Sequence, residues 1–218
     1  MRQTNYVPAA SGLGSSSTAV VAGLLGANAL LEGGLSKAEI LELATEMEGH
    51  PDNVAPALFG GLVLVPMGSR PLHIEQIPIK PLEVVIILPD FELLTSTARA
   101  ALPTHISRAD AIFNLARTPL VIRALELGDY AKLGVAMQDK IHQPYRIPLV
   151  PGMAEAFTAA GEAGASAVAI SGAGPSIIAF APQGHHAIGA AAQAAFGRAG
   201  LASRVWVLPL DVGGSLVV

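Results

Sequence analysis

Cysteine is absent from the 218 residues, which removes disulfides, thiol nucleophiles and zinc–thiolate sites together. Charge is scarce as well, with 14% of residues charged against 51% hydrophobic and a net charge of −4. That balance excludes a disordered chain and provides apolar surface for a sizeable core. No basic cluster occurs, so the electrostatic footprint of a nucleic-acid binder is missing. Long apolar runs are missing too. Residues 18–31 come nearest, but Gly23, Gly26 and Asn28 interrupt them, short of the roughly 18 unbroken apolar residues of a membrane span. Behind Arg2 the same stretch has the outline of a secretory leader, with Ala27-Asn28-Ala29 as a cleavage site. Ser and Gly fill the gap that such a leader keeps short, so a cytoplasmic chain with no membrane partner is expected. A His-Glu-x-x-His pattern is also absent, and His73, His105, His142, His185 and His186 lack metal-ligand spacing.

What is present alternates between helix and strand signals. Residues 15–31 are small and apolar on every side, which predicts a buried helix. Ser36 and Glu39 form a capping-box pattern that opens a second helix running to about Glu48, where Gly49-His50-Pro51 stops it. "GLVLVP", "LHIEQIPI" and the β-branched run "LEVVIILPD" predict strands. Helices are expected at about 95–101, 106–128, 130–139 and 152–164. "ASAVAISGAGPSIIAFAP" reads as two strands around a Gly-rich turn, followed by a helix at 184–199 and the strand "SRVWVLPL". The mixture suggests an α+β chain with an antiparallel sheet, divided near 79–82 into 1–79 and 80–218.

Chemistry concentrates in "PAASGLGSSST", Pro8 to Thr18. A helix N-terminus presents unpaired N–H groups and about half a positive charge, so it attracts phosphate. Gly12 and Gly14 permit positive φ and close backbone approach. Ser15, Ser16 and Ser17 offer hydroxyls as N-cap, phosphate donor or Mg²⁺ ligand. A Walker A loop is excluded because no lysine follows a glycine here, and the dinucleotide fingerprint would need a third glycine where Ser17 stands. An ordinary serine-capped turn has the same local pattern.

Three segments in order break that tie: the glycine loop itself, "EGHPDNVAPALFGG" at 48–61 and "SGAGPSIIAF" at 171–180. Together they resemble the GHMP small-molecule kinases, and the middle segment is similar to the homoserine kinase branch. The resemblance implies a two-domain α+β fold. Its N-terminal ribosomal-S5-like domain would be incomplete over 1–79, and its C-terminal ferredoxin-like domain would span 80–218. It implies ATP bound by Pro8, Ala9, Ala10, Ser11, Gly12, Leu13, Gly14, Ser15, Ser16, Ser17 and Thr18. Mg²⁺ would be held by Ser16 and Glu48, with Ser15 and Glu46 as the alternatives. L-Homoserine would meet His50, Asp52, Asn53, Thr95, Arg99, Arg146, Gly172 and Gly174. The two arginines suit a carboxylate because a guanidinium pairs with it bidentately. The "SGAGPS" turn would present backbone N–H groups to phosphate. Asn53 stands where other relatives have an aspartate base, so it would orient the substrate hydroxyl, with Asp52 as base the alternative. A homodimer is left open.

One family stretch has no counterpart. These kinases carry a Pro-Ala-Thr/Ser-Ala-Asn-Leu-Gly-like segment several dozen residues ahead of the glycine loop, whereas "MRQTNYVP" leads almost straight into it. The first domain is therefore expected to have an exposed sheet edge and a partly uncovered helix. Weak or absent kinase activity is expected of 1–218 alone. Other readings are a mevalonate- or sugar-type GHMP kinase and a catalytically weak nucleotide-binding fragment.

Overall fold

The computed structural model describes residues 2–217, which form two compact units. The first contains the residues up to Ala9, Gly14–Ile79 and the segment from Asp211 on, and the second contains Ala10–Leu13 and Lys80–Leu210. The division expected at 79/80 is thus crossed by two short segments. Ala10–Leu13 packs with the second unit although it precedes the first helix, and the C-terminal segment packs with the first.

In the first unit, α1 (Ser15–Leu30), α2 (Lys37–Glu48) and α3 (Val54–Phe59) accompany an antiparallel pair, β1 (Leu62–Leu64) and β2 (Glu75–Ile77). The capping box of α2 forms as its pattern requires. Ser36 Oγ accepts from the Glu39 N–H, and the Glu39 carboxylate accepts from the Ser36 N–H at 2.8 Å. Gly49 ends the helix with φ of 83°, a conformation glycine adopts at no steric cost. The core gathers Val21, Ile40, Leu41, Ala44, Val54 and Leu58.

Helix α1 is not buried on every side, as its composition predicts, but partly uncovered, the other expectation for the first domain. Only Ser17 and Val21 in it are buried, and Leu30 is 75% exposed. Val20, Leu24 and Leu25 pack partly against the core, so one stripe meets neighbours. Small apolar residues tolerate burial on every side without enforcing it, which is why composition overstated the covering of this helix. The C-terminal segment closes the unit. Gly61 N–H donates to the Asp211 carbonyl at 2.8 Å, and Ser215 Oγ donates to the Ala57 carbonyl at 2.7 Å.

The second unit holds α4 (Thr95–Ala100), α5 (Arg108–Leu127), α6 (Tyr130–Ala136), α7 (Gln143–Arg146), α8 (Met153–Glu162) and α9 (His185–Arg198). Its sheet comprises β3 (Glu83–Pro89), β4 (Ala167–Ile170), β5 (Ile177–Phe180) and β6 (Ser203–Pro209), in the order β4-β5-β3-β6 with every pair antiparallel. Strand, helices, two strands, helix, strand is the ferredoxin-like succession. β3 explains its own lack of alternation. Val85 and Ile87 join α8 and α9 in one core, while Val84 and Ile86 join α5 and α6 in another. Both faces of the sheet are therefore covered. α6 stops at Ala136, three residues short of the expected end, and the chain that follows wraps around the Asp139 carboxylate. Among the described residues no helix is long and apolar enough to cross a membrane.

Candidate active site

The glycine loop divides between the units. Its residues 14–18 belong to the first, where Gly14 (φ 78°) caps α1. A Cβ built on Gly14 would lie 3.9 Å from the Asn53 side chain, so the end of the loop and the predicted orienting residue are neighbours. The N–H groups of Ser15, Ser16 and Ser17 open α1, where no intrahelical acceptor reaches them. No acidic residue belongs to that first turn itself, although the Glu48 carboxylate reaches it from α2.

The three serines have different partners. Ser15 Oγ donates to the Val7 carbonyl at 2.8 Å and accepts from Asn5 Nδ2 at 3.0 Å, which anchors the approach to the loop. Ser16 Oγ donates to Glu48 Oε1 at 2.7 Å and Ser17 Oγ to Glu48 Oε2 at 2.8 Å. Glu46 turns away and pairs with Arg70 at 2.8 Å. The donor set at Glu48 is therefore one carboxylate with two hydroxyls. Such hard oxygens suit Mg²⁺, which keeps several waters and is bound through one or two carboxylates plus substrate phosphates. Among the described residues no cluster of three or more His, Asp or Glu is placed to hold a metal.

The "HPDN" residues cluster in the same unit. His50 Nδ1 lies 2.5 Å from Asp52 Oδ1 but out of line for a hydrogen bond, and Asp52 Oδ1 accepts from the Asn53 N–H at 2.9 Å. Asn53 occupies the N-cap of α3 without a side-chain cap bond.

In the second unit, residues 10–13 pack against the "SGAGPS" turn. Ser171 Oγ donates to the Gly12 carbonyl at 2.9 Å, and Ser176 N–H donates to the Ser11 carbonyl at 3.1 Å. A Cβ on Gly12 would lie 2.3 Å from the Ser171 carbonyl oxygen, so only glycine permits this approach. The N–H groups of Ser171 and Gly174 are bonded within the turn. The expectation that this turn offers its N–H groups to phosphate is thus corrected for residues 171, 174 and 176. Backbone groups in such a contact must find partners: the 171 and 174 N–H groups find theirs within the turn and the 176 N–H finds the Ser11 carbonyl.

Arg146, the last residue of α7, donates from Nε to the Ala98 carbonyl at 3.3 Å and from Nη1 to the Gly172 carbonyl at 3.1 Å. Burial pushes its guanidinium below the ordinary value, Asp139 opposes that shift, and Arg99 adds to it. The two arginines therefore feel each other. A cavity of about 320 Å³ is lined by Asp139, His142, Gln143, Arg146, Ile170 and Gly172. Arg99 and Thr95 are exposed on α4, whereas Gly174 is buried in the turn.

Sequence reasoning missed Asp139. Burial pushes its carboxyl up, but hydrogen bonds from the Asn114 amide and from the N–H groups of Gln143, Ile141 and His142 outweigh this and hold it at about 2. An aspartate three residues before His142, ahead of Gln143 and Pro144, was the available signal, since Asp bonds to nearby backbone at helix starts. A depressed carboxylate stabilises the fold above the unfolded value near 4 and loses that contribution as pH falls from there towards 2. After allowance for solvent screening this amounts to about 1 to 2 kcal/mol. Urea midpoints at pH 6 and pH 3 are expected to differ by less in Asp139→Asn than in the wild-type chain. An unchanged difference would overturn this account.

The family described as "GHMP kinases N terminal domain" matches residues 2–61, and "GHMP kinases C terminal" matches 121–198. The homoserine kinase of Moorella thermoacetica is 45% identical over 98% of this chain and 73% of its own length. That of Trichormus variabilis is 49% identical over 96% and 70%. A crystal structure of homoserine kinase from Cytophaga hutchinsonii superposes with a TM-score of 0.89 at 35% identity, covering 97% of this chain and 70% of that one. Mevalonate kinase from L. major, at 18% identity and a TM-score of 0.69, shares the fold. Identities of 45% and 49% over nearly all of this chain and 70% or more of each relative, with the matches to both GHMP kinase domains, show that the chain belongs to the homoserine kinase family of the GHMP kinases.

Proposed function

We propose that this chain transfers the γ-phosphoryl group of ATP to the side-chain hydroxyl of L-homoserine, giving O-phospho-L-homoserine and ADP. Threonine biosynthesis in the cytoplasm is part of the same proposal. The observation that carries it is the Arg146 guanidinium, held on the Ala98 and Gly172 carbonyls within electrostatic reach of Arg99. A fixed guanidinium recognises a carboxylate, which an amino-acid substrate has and a sugar lacks. Asp52, whose side chain is 74% exposed, supplies an anion for the ammonium beside His50.

Phosphoryl transfer depends on positioning and charge neutralisation. The first-turn N–H groups of α1 hold phosphate oxygens. Ser16 and Glu48 would hold Mg²⁺, which would neutralise phosphate charge. Asn53 orients the hydroxyl through its amide. An amide accepts no proton in this range, so the proton leaves to the phosphate or to water. Asp52→Asn is accordingly expected to keep kcat within about threefold, with any loss confined to KM for L-homoserine, whereas removal of a true general base costs about 10² or more. A kcat loss of that size would make Asp52 the base.

A coupled ADP-release assay with L-homoserine, mevalonate and galactose in parallel tests the function. Weak turnover with L-homoserine, and none with the other two alcohols, is the expected result. Turnover with another alcohol, or a thermal shift with MgATP and no turnover, would overturn the reading.

A further inference from the structure

We propose that Asp139, through α7, positions the Arg146 guanidinium for the carboxylate of the substrate. The inference rests on the functional reading above. Asp139 lies outside the family-like motifs, its side chain is only 13% exposed, and it touches no residue assigned to catalysis.

Its carboxylate collects four donors. Oδ1 accepts from Asn114 Nδ2 at 2.6 Å and from the Ile141 N–H at 3.0 Å, while Oδ2 accepts from the His142 N–H at 2.8 Å and the Gln143 N–H at 2.5 Å. That fills about four acceptor positions, all that a carboxylate has. Three of the donors are consecutive backbone groups leading into α7, a helix of 4 residues, too short to hold itself in water. Asn114 completes the grip from α5, with its Oδ1 accepting from the Lys140 N–H at 3.0 Å. Gln143 Oε1 in turn accepts from the Ile170 N–H at 3.0 Å, which ties the start of α7 to the strand entering the "SGAGPS" turn. Arg146 follows three residues later and spans Ala98 and Gly172. The path from α5 through Asn114, Asp139 and α7 to Arg146 is thus an unbroken series of hydrogen bonds and one helical turn.

Asp139→Asn tests this with little change in volume. Its NH₂ would face two of the four donors while its oxygen still accepts from the other two, so the anchor of α7 is weakened while Arg146 remains. Steady-state kinetics of the full chain are measured with L-homoserine and ATP varied in turn, and the Arg146 Nε–H resonance is followed by nitrogen-15 NMR, assigned by its absence in Arg146→Lys. The expected result is a KM for L-homoserine raised about tenfold or more, kcat lowered by less than about threefold and KM for ATP within about twofold, together with faster solvent exchange of the Arg146 Nε–H. A merely structural Asp139 would lower apparent kcat in proportion to lost folded protein and leave both KM values unchanged, and that result would overturn the proposal. So would unchanged KM and unchanged exchange. If the wild-type chain does not phosphorylate L-homoserine, the functional reading fails. The NMR arm then decides by itself: accelerated exchange upholds the positioning by Asp139, and unaltered exchange ends it.

Discussion

Gly12→Ala is expected to lower the stability of the second unit by about 4 kcal/mol and to abolish activity. The residue sits at φ 79°, and a Cβ there would meet the Ser171 carbonyl oxygen at 2.3 Å and that of Gly174 at 2.8 Å. Both neighbours are backbone, so no side chain can swing aside. A left-handed alanine costs about 1 to 2 kcal/mol. Parting the strands of this contact also breaks the bonds from Ser171 Oγ to the Gly12 carbonyl and from Ser176 N–H to the Ser11 carbonyl, at about 1 kcal/mol each. Overpacking adds a further 1 kcal/mol or so. Trp206 is the one tryptophan, and it packs with Leu13 against a core of that unit, so its fluorescence reports the urea transition. Gly161→Ala is the control, since Gly161 lies within α8 of the same unit and has nothing within 4 Å of a built Cβ. It should match the wild type or gain up to about 1 kcal/mol. Equal midpoints for the two variants would refute the close approach at Gly12.

Glu48→Gln is expected to lower kcat/KM for MgATP about 10² to 10³-fold, or about 3 to 4 kcal/mol at 1.36 per tenfold, with folding stability altered by under about 1 kcal/mol. The change removes the negative charge while keeping the shape, and Ser16 and Ser17 lose their carboxylate acceptor. Raising Mg²⁺ should recover part of the loss, because the variant binds the metal more weakly. Glu46→Gln disturbs only an exposed pair with Arg70, worth about 0.2 to 1 kcal/mol, and should leave turnover alone. Similar losses in the two variants, or no response of Glu48→Gln to Mg²⁺, would remove Glu48 from the metal site.

How much of this was legible beforehand depended on the range of the interaction. The capping box of α2, the glycine stop after Glu48 and the buried run of β3 rest on residues within a few positions of one another, and each appears where its pattern lies. The phosphate-suited start of α1 is equally local, since Gly14 and the serines are adjacent in the chain. Which serine and which glutamate meet is not local. Ser16 and Glu48 are 32 residues apart, and Glu46 and Glu48 differ only in the side of α2 on which they stand. Nothing near Ser15 announces that its hydroxyl serves the Val7 carbonyl instead.

The amino-acid order alone determined most of the elements, the cap of α2, the antiparallel α+β character and the three glycine-bearing motifs, because periodicity and turn chemistry act within about four residues. The tertiary structure alone decided that α1 is covered along one stripe, that Gly12 meets a turn 159 residues away, and that Asp139 anchors the helix carrying Arg146. Such pairings depend on where the chain returns after many residues, and a side chain's partner there is set by packing rather than by its neighbours in sequence.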